Sequence, residues 1–141
     1  HLVSKVKSYF KGELVGKHFA LWGLAFKPNT DDIREAPSLY MIDELLKLGA
    51  TMCAFDPEAT ENAKKHFGNK ISFADNQYDA LENADALIIA TEWNEFRSPD
   101  FQKIESRLKK KVIFDGRNLF ENNTMQQQGF HYESIGRTVV E

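Results

Sequence analysis

Three basic residues follow predicted strands and carry side chains suited to holding an anion. Lys27 and Arg34 lie in a polar segment after the apolar run His18–Trp22, and Arg117 follows a second apolar run at residues 112–114. A lysine presents a compact charge to a phosphate, whereas an arginine can hold two of its oxygens at once. For the segment with Lys27 and Arg34, an anion site and a charged loop in water are about equally good interpretations.

The carboxylates beside Arg34 offer a simpler role for it. Asp31, Asp32 and Glu35 are its near neighbours, and an ion pair with one of them is the expectation from the residues alone. The pair Asp31 and Asp32 also suggests a metal site, but no His or Cys lies nearby to complete a ligand set. We therefore expect these carboxylates to serve turns or helix caps, with no metal bound.

Structural roles are expected for most other polar or aromatic candidates. Asp115 is expected to hydrogen-bond the backbone of its turn or to hold Arg117. Trp93 is expected to pack under a loop rather than to stack on a base. Surface or packing roles are expected for three histidines that lack triad-like neighbours: His18, His66 and His131.

The apolar segments predict strands that alternate with helices. Strands are predicted at residues 18–22, 51–55, 71–73, 86–90 and 112–114, with an edge strand through Phe130, Tyr132 and Ile135. Helices are predicted within residues 2–16 and at residues 37–48, 58–67, around 104–108 and 122–128, with a helical turn at 78–81. This order predicts a three-layer, doubly wound α/β fold of the Rossmann-like type. Its sheet would be mainly parallel, with five to six strands and helices on both faces.

The polar clusters all follow predicted strands directly. They are residues 25–27, 56–57, 91–93 and 115–118. In a parallel sheet the strand ends that precede such clusters lie on one edge, where α/β proteins bind ligands. A binding edge is therefore favoured, although any α/β domain places polar loops there.

Size and composition are those of one ordinary globular domain. The chain has 141 residues, a hydrophobic share of 42% and a net charge of −3. That charge provides no general attraction to nucleic acid or to anionic lipid. No apolar run approaches the roughly 20 residues of a membrane span, and no signal-peptide pattern opens the chain. The single cysteine fits a reducing, cytoplasmic compartment, and a start at His1, within a predicted helix, suggests a fragment.

Three segments, in order, resemble the UDP-glucose/GDP-mannose dehydrogenase family. They are GLAFKPNTDDIREAPS at residues 23–38, ATEWNEF at residues 90–96 and FDGRNLF at residues 114–120. The resemblance covers residues 17–136 and implies the C-terminal, UDP-sugar-binding domain of such an enzyme. We assign residues 17–141 to that domain. Residues 1–16 would be the tail of a preceding linker or helix, or else a capping helix of this fold.

The resemblance also implies roles for individual residues. Phe26 and Lys27 match the Phe-Lys pair that contacts the UDP-sugar in the family, and Arg117 matches the arginine of its DGR motif, which contacts the same ligand. Arg34 matches an arginine that reaches the cofactor NAD, carried on another domain. The family oxidises the sugar C6 hydroxyl to a carboxylate in two NAD-dependent steps, through a thiol intermediate.

Two parts of that chemistry are not expected in this chain. No strand is followed by the GxGxxG turn of a dinucleotide site. Cys53 lies within a predicted buried strand, so we expect a core residue rather than the nucleophile. No catalytic residue is therefore assigned, and the chain alone is predicted to be inactive. The resemblance implies N-terminal and central domains as partners, and a homodimer at full length.

Other functions fit the same residues. One is the equivalent domain of an enzyme acting on GDP-mannose or on a UDP-N-acetyl sugar. Another is a free-standing binding or regulatory module with a flavodoxin-like fold. A third is an interaction domain with no affinity for nucleotides.

Overall fold

The computed structural model describes residues 2–141, in which helices cover both faces of a six-stranded sheet. The strands are β1 (His18–Trp22), β2 (Thr51–Phe55), β3 (Ser72–Phe73), β4 (Ala86–Ile89), β5 (Val112–Asp115) and β6 (His131–Glu133). The helices are α1 (Leu2–Tyr9), α2 (Pro37–Lys47), α3 (Thr60–Phe67), α4 (Asn94–Arg97), α5 (Phe101–Arg107) and α6 (Asn122–Gln128). Short 3-10 turns lie at Gly68–Lys70 and Asp79–Leu81.

The six strands are paired in parallel, in the order β3-β2-β1-β4-β5-β6. β1 and β4 are neighbours although β2 and β3 lie between them in the chain, so the winding direction reverses there. A reversal of this kind opens a crevice at the carboxyl ends of the two strands. The predicted doubly wound, Rossmann-like fold is confirmed, with a parallel sheet and β6 at its edge.

Two clusters of buried side chains form the core, one on each face of the sheet. Neighbouring residues of β1 point to opposite sides, so that Leu21 belongs to one cluster and Trp22 to the other. Helices α1, α2 and α3 cover the first face, and α4, α5 and α6 cover the second. All four residues of β4 and of β5 are buried, as the continuous apolar runs predict.

The predicted burial of Cys53 is wrong. β2 lies where predicted, and Met52 and Ala54 point into the first cluster. Cys53 points to the opposite face and is only partly buried. The reason is that β2 is next to the edge strand, where the second face is covered less completely than at the centre of the sheet.

Several element boundaries differ from the prediction. α1 ends at Tyr9, well within the predicted range of residues 2–16, and its Val6 is fully buried against the first cluster. The helix α4 was not predicted, and Ile135 lies beyond the end of β6. The division of the chain after residue 16 stays a prediction. Within residues 2–141, no helix combines the length and apolar character needed to cross a membrane.

Candidate functional site

The loops that follow β1, β2, β4 and β5 contact one another at the carboxyl edge of the sheet. The Thr91 hydroxyl, just after β4, donates a hydrogen bond of 2.7 Å to the carbonyl of Ala25, in the loop after β1. Arg117, just after β5, donates to the loops after β1 and β4. The predicted convergence of these polar loops on one edge is confirmed.

Gly23 permits the close approach of the loops after β1 and β4. Its φ angle is +101°, in a region that residues other than glycine rarely adopt. A Cβ added at this position would lie 2.5 Å from Thr91 Oγ1 and 2.7 Å from Thr91 N. These distances are shorter than van der Waals contact, so a side chain here would push the two loops apart.

A buried carboxylate, that of Asp56, ties three segments of this edge together. The side chain is 2% exposed. Its Oδ2 accepts hydrogen bonds from Leu24 N at 2.7 Å, Ala25 N at 3.0 Å and Trp93 Nε1 at 3.1 Å. Its Oδ1 accepts from the backbone N–H groups of Glu58 and Ala59, in the turn that leads into α3. Trp93 is thus buried and hydrogen-bonded, which confirms its predicted packing role.

A second buried carboxylate, that of Asp115, shapes the turn after β5. Its Oδ1 accepts from Arg117 N at 2.9 Å, and its Oδ2 accepts from Leu119 N at 2.7 Å. The hydroxyl of Tyr132 donates to Oδ2 at 2.6 Å. Burial, helped by this carboxylate, raises the pKa of Tyr132 above its usual value. The prediction that Asp115 binds the backbone of its own turn is confirmed.

The guanidinium of Arg117 bridges the loops after β1 and β4. Its Nε donates to the carbonyl of Ala90 at 3.0 Å, and its Nη2 donates to the carbonyl of Phe26 at 3.2 Å. Its Nη1 lies 3.9 Å from a carboxylate oxygen of Glu92. An arginine has five N–H donors, and the side chain is 30% exposed. Donors therefore remain for an anion that approaches this edge.

Phe26 and Lys27 stand on the exposed part of the loop after β1. The Lys27 ammonium lies 5.4 Å from the centre of the Phe26 ring, within the range of a cation–π contact. Phe26 is 42% exposed, so that its ring is accessible to a ligand. Within residues 2–141, no carboxylate lies within ion-pair distance of Lys27. The loop that Arg117 contacts through the Phe26 carbonyl thus also carries an exposed aromatic ring and a cation without an ion-pair partner.

Arg34 pairs with Asp32, one of the three neighbours considered for it. Its Nε and Nη2 donate to the two carboxylate oxygens of Asp32 at 3.0 Å and 2.9 Å. The Arg34 backbone N–H donates to the same carboxylate at 2.9 Å. The Arg34 side chain is nevertheless 88% exposed.

Hydrogen bonds from the Arg34 side chain, and then from its backbone N–H, lower the pKa of Asp32 from 3.8 to about 2. The pair should therefore stabilise the loop fully above pH 3.8 and lose its effect as the pH falls through about 2. We expect a carboxyl titration of Asp32 by NMR to give this low midpoint, and Arg34→Ala to raise it towards 3.8. Lys27→Ala removes only a weaker electrostatic effect on Asp32 and should move the midpoint far less. An unchanged midpoint in Arg34→Ala would contradict the pairing of Arg34 with Asp32.

Two open cavities adjoin this edge of the sheet. The larger, of about 600 Å³, is lined by Arg117, by Gly116 and by mainly apolar residues of α1 and α2. Its volume is within the usual range of roughly 300–1,000 Å³ for small-molecule sites. The smaller, of about 520 Å³, is lined by Phe26, Asp32, Arg34 and Glu35. The structure therefore places Arg117 and Arg34 on different cavities.

No role was assigned to Asp56 from the sequence, although its position after a strand is a pattern that could have indicated one. An aspartate that directly follows a strand and precedes a helix by a few residues resembles a helix N-cap. Its contacts with Leu24, Ala25 and Trp93 are long-range and leave no local pattern. Within residues 2–141, no group of three or more His, Cys, Asp or Glu side chains is placed to hold a metal ion.

Residues 20–122 match the family described as UDP-glucose/GDP-mannose dehydrogenase family, UDP binding domain. This chain belongs to that family. The UDP-glucose 6-dehydrogenase of Pseudomonas aeruginosa is 45% identical over 133 residues, a match to 91% of this chain and 29% of that protein. UDP-glucose 6-dehydrogenase TuaD of Bacillus subtilis is 41% identical over 140 residues, a match to 99% of this chain and 30% of that protein.

Solved structures of family members share the whole fold. A UDP-glucose dehydrogenase from Pyrobaculum islandicum superposes with a TM-score of 0.80 at 30% identity, over 97% of this chain and 29% of that one. The UDP-D-ManNAc dehydrogenase of Pyrococcus horikoshii gives a TM-score of 0.74 at 27% identity, over 96% and 29% of the two chains. The chain thus spans about 30% of the length of these relatives. The segment matched to the family's UDP binding domain includes Phe26, Lys27, Arg34 and Arg117.

Proposed function

We propose that this chain is the nucleotide-sugar-binding domain of an NAD-dependent UDP-glucose 6-dehydrogenase. The whole enzyme would oxidise UDP-glucose to UDP-glucuronate, with the cofactor site and nucleophilic cysteine supplied by N-terminal and central domains. The chain alone would bind ligand without oxidising it. The proposal includes a homodimer at full length and a cytoplasmic location; the single cysteine suits a reducing compartment.

The arrangement around Arg117 is the observation that carries the proposal. Its guanidinium is fixed by the carbonyls of Phe26 and Ala90, and Lys27 stands on the same loop as Phe26. Arg117 thus lies near the crevice at which doubly wound folds bind ligands, and the loop that it contacts carries an exposed ring and a second cation. We propose that Lys27 and Arg117 hold the diphosphate of the UDP-sugar, and that Phe26 packs against the ligand. Binding energy from UDP would then hold the sugar in place for the chemistry.

Arg34 is proposed to meet NAD carried on another domain. Its guanidinium is 88% exposed, and two of its nitrogens are engaged by Asp32. The remaining Nη1 group could donate to a phosphate that arrives from solvent. These residues fit a contact with the cofactor at the surface of the domain. In the intact enzyme, NAD would accept the hydride.

We expect calorimetric titration of the chain with UDP and with UDP-glucose to show weak binding, and titration with GDP to show less. Lys27→Ala should weaken UDP binding by about 10-fold to 150-fold, because one charge-assisted contact contributes roughly 1.5–3 kcal/mol. Lys110→Ala is the matched control, since it removes another exposed lysine, which lies just before β5 at the opposite edge of the sheet. Equal affinities for all three ligands, or an effect of Lys110→Ala as large as that of Lys27→Ala, would contradict the assignment.

A related enzyme acting on a UDP-N-acetyl sugar is the second candidate. Its basis is the similarity to the dehydrogenases named for UDP-D-ManNAc in Pyrococcus horikoshii and for NDP-N-acetyl-D-galactosaminuronic acid in Methanosarcina mazei. Identity to the UDP-glucose 6-dehydrogenase of Pseudomonas aeruginosa is higher, at 45%. UDP-glucose is therefore proposed as the substrate.

A further inference from the structure

The carboxylate of Asp56 is buried and has no cationic side chain as a partner. It is 2% exposed, and no lysine or arginine within residues 2–141 lies at ion-pair distance from it. Burying a carboxylate is strongly unfavourable unless hydrogen bonds replace its hydration. Five N–H donors do so here, from the loop after β1, from Trp93 and from the segment before α3. The side chain thus holds these donors in place.

The position of Asp56 is one that other dinucleotide-binding folds use for direct ligand contact. In those folds an acidic residue near the end of the second strand accepts a hydrogen bond from the ribose. Here both carboxylate oxygens of Asp56 are already occupied by donors of the chain itself, and the side chain is closed to solvent. A direct contact with a nucleotide is therefore excluded in this arrangement.

The donors held by Asp56 lie next to the proposed binding residues. Leu24 and Ala25, which donate to Oδ2, directly precede Phe26 and Lys27. Trp93 lies in the loop after β4, which begins with the Ala90 carbonyl that accepts from Arg117. One carboxylate thus fixes both of the loops that Arg117 bridges.

We propose that Asp56 is a positioning residue for the nucleotide site. It holds the loops after β1 and β4 at the spacing at which Phe26, Lys27 and Arg117 act together, without touching the ligand. Because the N–H groups of Leu24 and Ala25 are directed to this internal anion, the diphosphate must be held by side chains rather than by these N–H groups. This inference rests on the proposed UDP-sugar binding.

Asp56→Asn provides a direct test, because it keeps the shape of the side chain. In Asp56 both carboxylate oxygens accept from N–H donors. Asparagine replaces one of these oxygens with an NH2 group, so in either orientation of the amide some of the donors lose their acceptor. We expect UDP to bind about tenfold more weakly, since a buried donor left unpaired is strongly unfavourable. Amide NMR signals of Phe26 and Lys27 should shift, although neither residue touches Asp56.

The control is Asp85→Asn, at the opposite edge of the sheet. Asp85 is also a buried carboxylate, 8% exposed, and it accepts from the backbone N–H of His18. We expect it to lower resistance to urea while leaving UDP affinity and the Phe26 and Lys27 signals unchanged. A purely structural role for Asp56 would make the two variants alike in every measurement, and that result would overturn the proposal.

Trp93→Phe is the alternative test if Asp56→Asn does not fold, because it removes the indole N–H donor and keeps the Asp56 carboxylate. It should weaken UDP binding about threefold, and full affinity would overturn the proposal. If the unchanged chain fails to bind UDP, the proposed function fails separately. The NMR shifts of Phe26 and Lys27 in Asp56→Asn would still test the positioning, and unshifted signals would refute it.

Discussion

Replacing Gly23 by alanine is expected to destabilise the fold by about 2–6 kcal/mol. A residue with a Cβ at φ +101° is strained, by roughly 1–3 kcal/mol. The new methyl group would also lie 2.5–2.7 Å from the side chain and backbone nitrogen of Thr91, and overpacking of this kind typically adds about 1–3 kcal/mol. Since whole domains are stable by about 5–15 kcal/mol, urea unfolding should show a large loss.

Gly12→Ala separates the two causes of this loss. Gly12 also has a positive φ, of +77°, but an added Cβ would meet no atom within 4 Å. Its substitution should therefore show the backbone strain alone, about 1–2 kcal/mol. A loss at Gly23 no larger than that at Gly12 would mean that the loops after β1 and β4 can separate freely. Their close contact would then not be a rigid feature of the site.

Arg117→Ala is expected to reduce UDP affinity by about 2–4 kcal/mol, or roughly 30-fold to 1,000-fold. The substitution removes the proposed contacts with the diphosphate. It also removes the bonds to the carbonyls of Phe26 and Ala90, so that the two loops lose their bridge. Calorimetric titration with UDP measures the combined effect.

Arg117→Lys distinguishes charge from geometry in this prediction. Lysine keeps the positive charge but lacks the planar fork that reaches two carbonyls and an anion together. We expect it to recover only a small part of the lost affinity. Full recovery would mean that Arg117 acts as a simple charge and that the bridge to Phe26 and Ala90 is dispensable.

Arg107→Ala is the matched control for both arginine variants. The Arg107 side chain is 34% exposed, against 30% for Arg117, and its Nη1 likewise lies 3.9 Å from a carboxylate oxygen, that of Asp79. It ends α5, whose chain leads into β5, and so lies away from the carboxyl edge of the sheet. UDP affinity should be unchanged in this variant. A comparable loss there would point to the overall charge of the domain rather than to a site.

The sequence by itself determined the strands, their alternation with helices and the edge on which the polar loops lie. Central strands of a parallel sheet are covered on both faces, so that β4 and β5 appear as continuous apolar runs. The family similarity depends on segments that are contiguous in the chain. Asp115 could also be assigned from sequence, because the backbone groups it binds lie within four residues.

The tertiary structure alone decided how the side chains of that edge are paired. Asp56 accepts from Leu24, which is 32 residues away, and Arg117 donates to Phe26, which is 91 residues away. Such pairings depend on which strands become neighbours, and sequence periodicity carries no record of a particular hydrogen bond across the sheet. The partial exposure of Cys53 has the same origin, because it depends on how far the helices of the second face extend over β2.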